Sequence, residues 1–241
     1  MKLESYLFTT EGGREENQDS ADLLVKEDSG IFVLADGLGG HQHGRTASDV
    51  IVKSLIEAWS SSESAHDKDW LETQIGVANE KLLAKQAEMK SNMKSTVVAL
   101  AIDNDKASWA NTGDSRLYYI HNGDIAAVTD DHSVAYKKYQ AGEITRAQLG
   151  KDEDQSCLLK ALGNETRWNP DTYEKSGISA GDAFLLCCDG LWEYVLDEEI
   201  LIDRLKSENP SEWVALLLMR AMARIEPGND NLTALAVMVK E

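Results

Sequence analysis

The order of elements along this chain predicts an α+β fold, antiparallel β-sheet covered by helices, and three observations lead there. The segments "STVVALAID", "KASWAN", "RLYYIHNG" and "DIAAVTDD" follow one another between Ser95 and Asp131, separated by Asn, Asp and Gly, as in a meander of short antiparallel strands. Helical periodicity is confined to separate blocks, two before the meander and two after it. Strands and helices therefore come in runs and not in the strict alternation of a parallel sheet.

Taken in order, Leu3 to Thr10 alternates like a half-buried strand, and Ile31 to Ala35 is a continuous apolar run, like a fully buried one. From Gly44 the pattern turns helical, with Ala47, Val50, Ile51, Leu55 and Ala58 on one face. After "SSSES" a second helix is expected near Asp69, with Glu72 placed as in a capping box. The meander comes next. The segment from His132 to Gln155 is mostly polar and weakly helical, which suits either an excursion sitting over a site or a surface insertion. "AFLLCCD" and "NLTALAVMV" read as two further strands, with helices at Asp197 to Lys206 and Ser211 to Ile225 between them. In the latter helix Val214, Leu217, Leu218, Ala221, Met222 and Ile225 form one stripe, which assigns Met222 to the core.

Composition narrows the function. The 241 residues carry 24 Lys and Arg against 42 acidic residues, a net charge of −18, so a basic surface for nucleic acid or an anionic membrane is excluded. No apolar run approaches the ~20 residues of a membrane span, and the opening "MKLESYLFTTEGG" alternates too much for a signal peptide. Cys157, Cys187 and Cys188 fit neither a disulfide framework nor a CxxC metal site and read as core thiols of a reducing compartment. A soluble, cytoplasmic protein is expected.

Acidic residues recur where the chain reverses or a strand ends: Asp19 in "GGREENQD", Asp36 after "IFVLA", Asp114 in "NTGDSR", Asp189 after "AFLLCC", and Asp230 in "GNDNLT". Each alone reads as a turn or cap residue. Together, without a companion cluster of His or Cys, they suit the oxygen-only shell of magnesium or manganese and not structural zinc. A competing reading starts from "GGHQHGRT", Gly39 to Thr46, which nearly spells a phosphate-cradling P-loop. Arg45, however, stands where that loop needs Lys, and the meander denies it a parallel βαβ setting.

The pieces "GGREENQD", "VLADGLGG", "GRTAS", "STVVAL", "NTGDSRLYY", "TDDHS", "LLKALGN", "CCDGLWEYV" and "GNDNLT" run in this order from one end of the chain to the other. In them the chain is similar to the metal-dependent Ser/Thr protein phosphatases, the PPM or type 2C family, in its compact bacterial form. The resemblance implies a four-layer α-β-β-α sandwich, two antiparallel sheets flanked by helices, forming a single domain over residues 1–241 with a flap at about 133–156. It implies two core Mn²⁺ or Mg²⁺ ions and a third, weaker one. By position Asp36 would bridge the core ions, the Gly37 carbonyl would join the first, and Asp189 and Asp230 would hold the second. Asp19 would act through metal-bound water, and Asp114 would share the third ion with Asp189. Arg14 matches the phosphate-binding arginine, its fork suited to two phosphate oxygens. Asp36, Asp189 and Asp230 would thus be catalytic, holding a metal-bridging hydroxide for in-line attack on phosphoserine or phosphothreonine. Phosphorylated proteins would be the substrates, a Ser/Thr kinase the counterpart, and the protein a monomer.

Departures accompany the matches. Gln18 stands where many members carry Glu, Leu38 where eukaryotic members carry a His proposed to protonate the leaving group, and Lys160 where Arg is usual. His41 and His43 lie near that position without matching it and read as loop-capping or solvated residues, and His132 in "TDDHS" as a hydrogen-bonded turn residue. The rival from another class is a pseudophosphatase, a binding module expected to have lost a metal aspartate.

Overall fold

A strand that is apolar on both faces needs a layer on each side, and here the layers are two stacked sheets with helices outside them. The structure, a computed structural model, describes residues 1–38, 43–62 and 65–241. Its elements are β1 (Lys2–Thr10), β2 (Ser20–Lys26), β3 (Ser29–Ala35), β4 (Gly37–Leu38), α1 (Gly44–Ser61), α2 (Lys68–Met89), β5 (Lys94–Ser95), β6 (Val97–Asp103) and β7 (Lys106–Thr112). They continue with β8 (Arg116–His121), β9 (Asp124–Val128), α3 (Val134–Gln140), a 3₁₀ turn (Arg146–Lys151), β10 (Asp171–Ser176), β11 (Ala183–Cys187), α4 (Asp189–Trp192), α5 (Asp197–Lys206), α6 (Pro210–Met222) and β12 (Leu232–Lys240).

One sheet runs β1-β12-β11-β8-β9 and the other β10-β7-β6-β3-β2, with β4 and β5 as a small separate pair. Every pairing is antiparallel, which removes the βαβ setting of the P-loop reading. Side-chain alternation assigns the faces. Phe32 and Leu34 of β3 point into the layer between the sheets, meeting Leu100, Phe184 and Val237, while Ile31 and Val33 point outward to Ile51, Leu55 and Ile75 of α1 and α2. On the other side Leu185 and Ala236 meet Trp213 and Leu217 of α6. That double burial is why these strands read as unbroken apolar runs, and the four-layer sandwich expected from the resemblance is the observed fold. Among the described residues no helix is long and apolar enough to cross a membrane.

Several expectations need correction. The four strands after Ser95 are not one meander: β6 and β7 form a hairpin in one sheet, β8 and β9 a hairpin in the other. The connector "NTGDSR" therefore crosses between layers, a step that hairpin-like spacing does not reveal. The second helix begins at Lys68 with the Asp67 side chain accepting from Trp70 N at 2.9 Å, so Asp69 and Glu72 do not form its cap. Met222 is 70% exposed, because the buried face of α6 is centred on Trp213, Val214, Leu217 and Ala221. Cys187 and Cys188 are buried as expected, whereas Cys157 is exposed. Gly39, Gly40 and His41 lie outside the described residues.

Candidate active site

Five chain segments end at one edge of the sandwich, and each carries an acidic residue there. β3 gives way to Asp36 and β11 leads through Cys188 into Asp189, the first residue of α4. Asp114 sits on the β7–β8 crossing, Asp19 immediately before β2, and Asp230 two residues before β12. Gly37 follows Asp36 under tight constraint, since a Cβ there would stand 2.0 Å from the Gly44 carbonyl oxygen.

The supporting contacts come from residues far apart in the chain. Asn231 fastens the loop after β1: its Nδ2 donates to the carbonyls of Glu11 and Glu16, each at 2.9 Å, and its Oδ1 accepts from Gln18 N at 2.8 Å. Arg45, at the P-loop lysine's place, donates instead to the Asp19 carbonyl at 2.6 Å, and Ser48 Oγ donates to the Gln18 carbonyl at 2.6 Å. Thr96 Oγ1 accepts from Asp36 N at 2.9 Å. Trp192 Nε1 donates to the Asp114 carbonyl at 2.9 Å while its ring carries the Arg116 guanidinium, which is itself clamped on Asp131.

Electrostatically the edge is a set of crowded carboxylates with few counter-charges among them. Burial first, then Asp189 and Asp230, push Asp19 up to about 7, and burial followed by Asp230 pushes Asp189 up to about 6. Asp36 is raised well above the carboxylate range by burial and then by Asp19, Asp189, Asp114 and Asp230; Asp114 is raised by burial and then by Asp189 and Asp131. Thr233 Oγ1 donates to Asp19 Oδ2 at 2.6 Å, but Asp19 Oδ1 is buried with no hydrogen-bond partner. Arg14 Nη2 meets Asp230 Oδ2 at 2.9 Å, both side chains being about half exposed (54% and 42%).

One member of the set escaped the sequence reading. Glu193, which caps the end of α4 four residues after Asp189, is raised to about 8 by burial and then by Asp189 and Asp230. Its spacing of four from Asp189 at a helix start was the available signal. Beside it lies the polar segment after His132. Gly150 abuts Glu193, where a Cβ would be 2.9 Å from the Glu193 Cα, and Gln155 Nε2 donates to Asp189 Oδ2 at 3.4 Å. Lys138 holds the segment together through Asp152 and Asp154, each at 2.8 Å.

With Asp230 turned to Arg14 and Asp19 to Thr233, no three His, Cys, Asp or Glu side chains among the described residues close on one ion-sized point. The donor set nevertheless fits hard divalent cations, which would neutralise crowded carboxylates and give the orphaned Asp19 Oδ1 a partner.

The family model described as protein phosphatase 2C matches residues 11–232. The chain belongs to that family. Among its phosphatase 2C relatives, the serine/threonine phosphatase Stp of Listeria welshimeri is 32% identical over 240 residues, covering 95% of this chain and 94% of its own. The crystal structure of serine/threonine phosphatase Stp1 from Staphylococcus aureus superposes with a TM-score of 0.89 at 26% identity, covering 100% of this chain and 96% of that one. The catalytic domain of the phosphatase PstP, solved in complex with two manganese ions, has a TM-score of 0.85 at 26% identity and covers 99% of both chains.

Proposed function

We propose that this phosphatase 2C member is a metal-dependent protein serine/threonine phosphatase that hydrolyses phosphoserine and phosphothreonine with Mn²⁺ or Mg²⁺. The observation that carries the reading is the gathering of Asp19, Asp36, Asp114, Asp189 and Asp230 at one sheet edge beside Arg14, where burial and neighbouring carboxylates raise the proton affinity of Asp19, Asp36, Asp114 and Asp189. Asp36, the Gly37 carbonyl, Asp189 and Asp230 would hold two core ions, Asp19 would reach them through water, and Asp114 with Asp189 would hold a third. Such ions supply Lewis acidity, an acidified water and neutralisation of charge on the phosphoryl oxygens. Arg14 orients the phosphate with its planar fork, and Gln155 and Gly150 set the flap against the Asp189 side of the site. A pseudophosphatase would lack a member of the set, and each aspartate is present in this sequence. A monomeric, cytoplasmic enzyme folded as one domain, opposed by a Ser/Thr kinase, completes the proposal.

Release of phosphate from a phosphothreonine peptide, with and without manganese, tests it: activity lost in chelator and restored by Mn²⁺ is expected, and metal-independent turnover defeats it. Arg14→Ala should lower kcat/KM by roughly 30- to 150-fold, the loss of a charge-assisted bidentate contact. Because Arg14 also occupies Asp230, ion affinity measured by calorimetry should stay equal or tighten in that variant. Weaker ion binding with unchanged peptide kinetics would reverse the assignment.

Asp114→Ala separates a metal role from a turn role. The metal role predicts near-normal melting, two retained ions and turnover reduced by about 10²-fold at saturating manganese. Wild-type activity should also keep rising with manganese after the core sites have filled. Normal turnover in the variant returns Asp114 to being a turn residue.

A further inference from the structure

The crossing between the sheets is held at a second point, by His132. His132 and Gly113 exchange two hydrogen bonds: His132 N donates to the Gly113 carbonyl at 2.8 Å, and Gly113 N donates to His132 Nδ1 at 3.1 Å. Gly113 has φ +102, a conformation open to glycine, and the Asp114 carboxylate follows it directly. On the far side of the ring, Nε2 lies 3.2 Å from Asp171 Oδ2 and 3.3 Å from Lys160 Nζ, and Lys160 Nζ meets Asp171 Oδ1 at 2.9 Å. The ring is buried, and His132 O accepts from Leu159 N at 2.7 Å.

These bonds assign the tautomer. A backbone amide can only donate, so Nδ1 carries no proton. The ring proton then sits on Nε2 and is donated to Asp171, with Lys160 satisfying the other carboxylate oxygen. Both nitrogens are committed, so the ring has no lone pair or proton left for substrate. We propose that His132 is a positioning residue for Asp114: a neutral imidazole whose Nδ1 captures the Gly113 amide and thereby aims the carboxylate from the crossing into the cluster. Asp171 and Lys160 act one step further out by fixing which nitrogen is bare. The inference rests on Asp114 being a working member of the site.

The test begins on metal-free protein labelled with ¹⁵N. At pH 7 the His132 Nδ1 resonance should be that of an unprotonated nitrogen, coupled through the hydrogen bond to the Gly113 amide. His132→Gln, which lacks an atom at the Nδ1 position, should speed exchange of the Gly113 amide roughly tenfold. In the manganese-loaded enzyme it should lower kcat roughly tenfold with KM within about twofold. His132→Asn, which restores an acceptor near Nδ1, should recover most of both. In an Asp114→Ala background His132→Gln should cost nothing further in kcat. Should His132→Gln not fold, Asp171→Ala carries the same comparison, with faster Gly113 exchange and a kcat loss that vanishes without Asp114. A protonated Nδ1 overturns the inference, as does an equal kcat loss with and without Asp114. Normal turnover of Asp114→Ala overturns instead the reading of Asp114, and with it the catalytic consequence, while the tautomer is measured separately.

Discussion

Asp189→Asn should give a folded protein whose release of phosphate from a phosphothreonine peptide is slower by at least about two to three orders of magnitude. Asp189 starts α4 at the centre of the carboxylate set, its proton affinity raised by burial and by Asp230. Asparagine keeps the oxygen that accepts from Gly190 N at 2.7 Å, so the helix start survives. It removes one negative charge from a repulsive cluster, and the metal-free variant should therefore melt no lower than the parent. Stopped turnover with unchanged or raised Tm is the expected pair of readings. A folded variant with parental activity in excess chelator would refute the metal mechanism.

The second large effect is on stability. Asp19 at about 7, Asp189 at about 6 and Glu193 at about 8 all bind protons more tightly than an unfolded chain's carboxylates do. Between about pH 4 and pH 8 the folded metal-free protein thus holds more protons than the unfolded one. Stability from these groups is fully present below the unfolded values near 4 and is lost as pH rises through the folded ones. The metal-free protein should melt higher at pH 5 than at pH 8. Manganese competes for the same oxygens, so its stabilisation should be larger at pH 8. A single site filled at 100 times its Kd contributes about 2.7 kcal/mol, which for a chain of this size is roughly 5–10 °C in Tm. Scanning fluorimetry in chelator and in manganese from pH 5 to 8 checks both signs, and Asp189→Asn should flatten the slope. A Tm that ignores manganese at pH 8 contradicts the proposal.

Much of this was legible because strand ends are marked. Asp36 and Asp189 each terminate an apolar run buried on both faces, so an abrupt Asp-Gly there locates the sheet edge as well as the carboxylate. β2 and β10 were not legible: "SADLLVK" and "DTYEKS" are edge strands, half solvated and without a clean period. Asn231, Thr233 and Trp192 support residues dozens to hundreds of positions away, and nothing local to them announces that. Met222 fell outside the core for a geometric reason: the apolar arc of α6 is wider than the strip its sheet can cover.

The pairing of β1 with β12, from Lys2 opposite Lys240 to Thr10 opposite Leu232, bears on how the protein comes into being. Closing that ladder joins segments more than 220 residues apart, and loop-closure entropy must be met before any of its contacts reward the chain. Asp230, the Asn231 clasp and the Thr233 hydroxyl on Asp19 all arrive with β12, long after β1 has been made. A nascent chain therefore carries Arg14, Asp19 and Asp36 through all the synthesis between β3 and β12 without a working site. Dephosphorylation begins only when residues 230–240 have emerged and zipped onto the first strand, so the same step that completes the sheet switches on the chemistry.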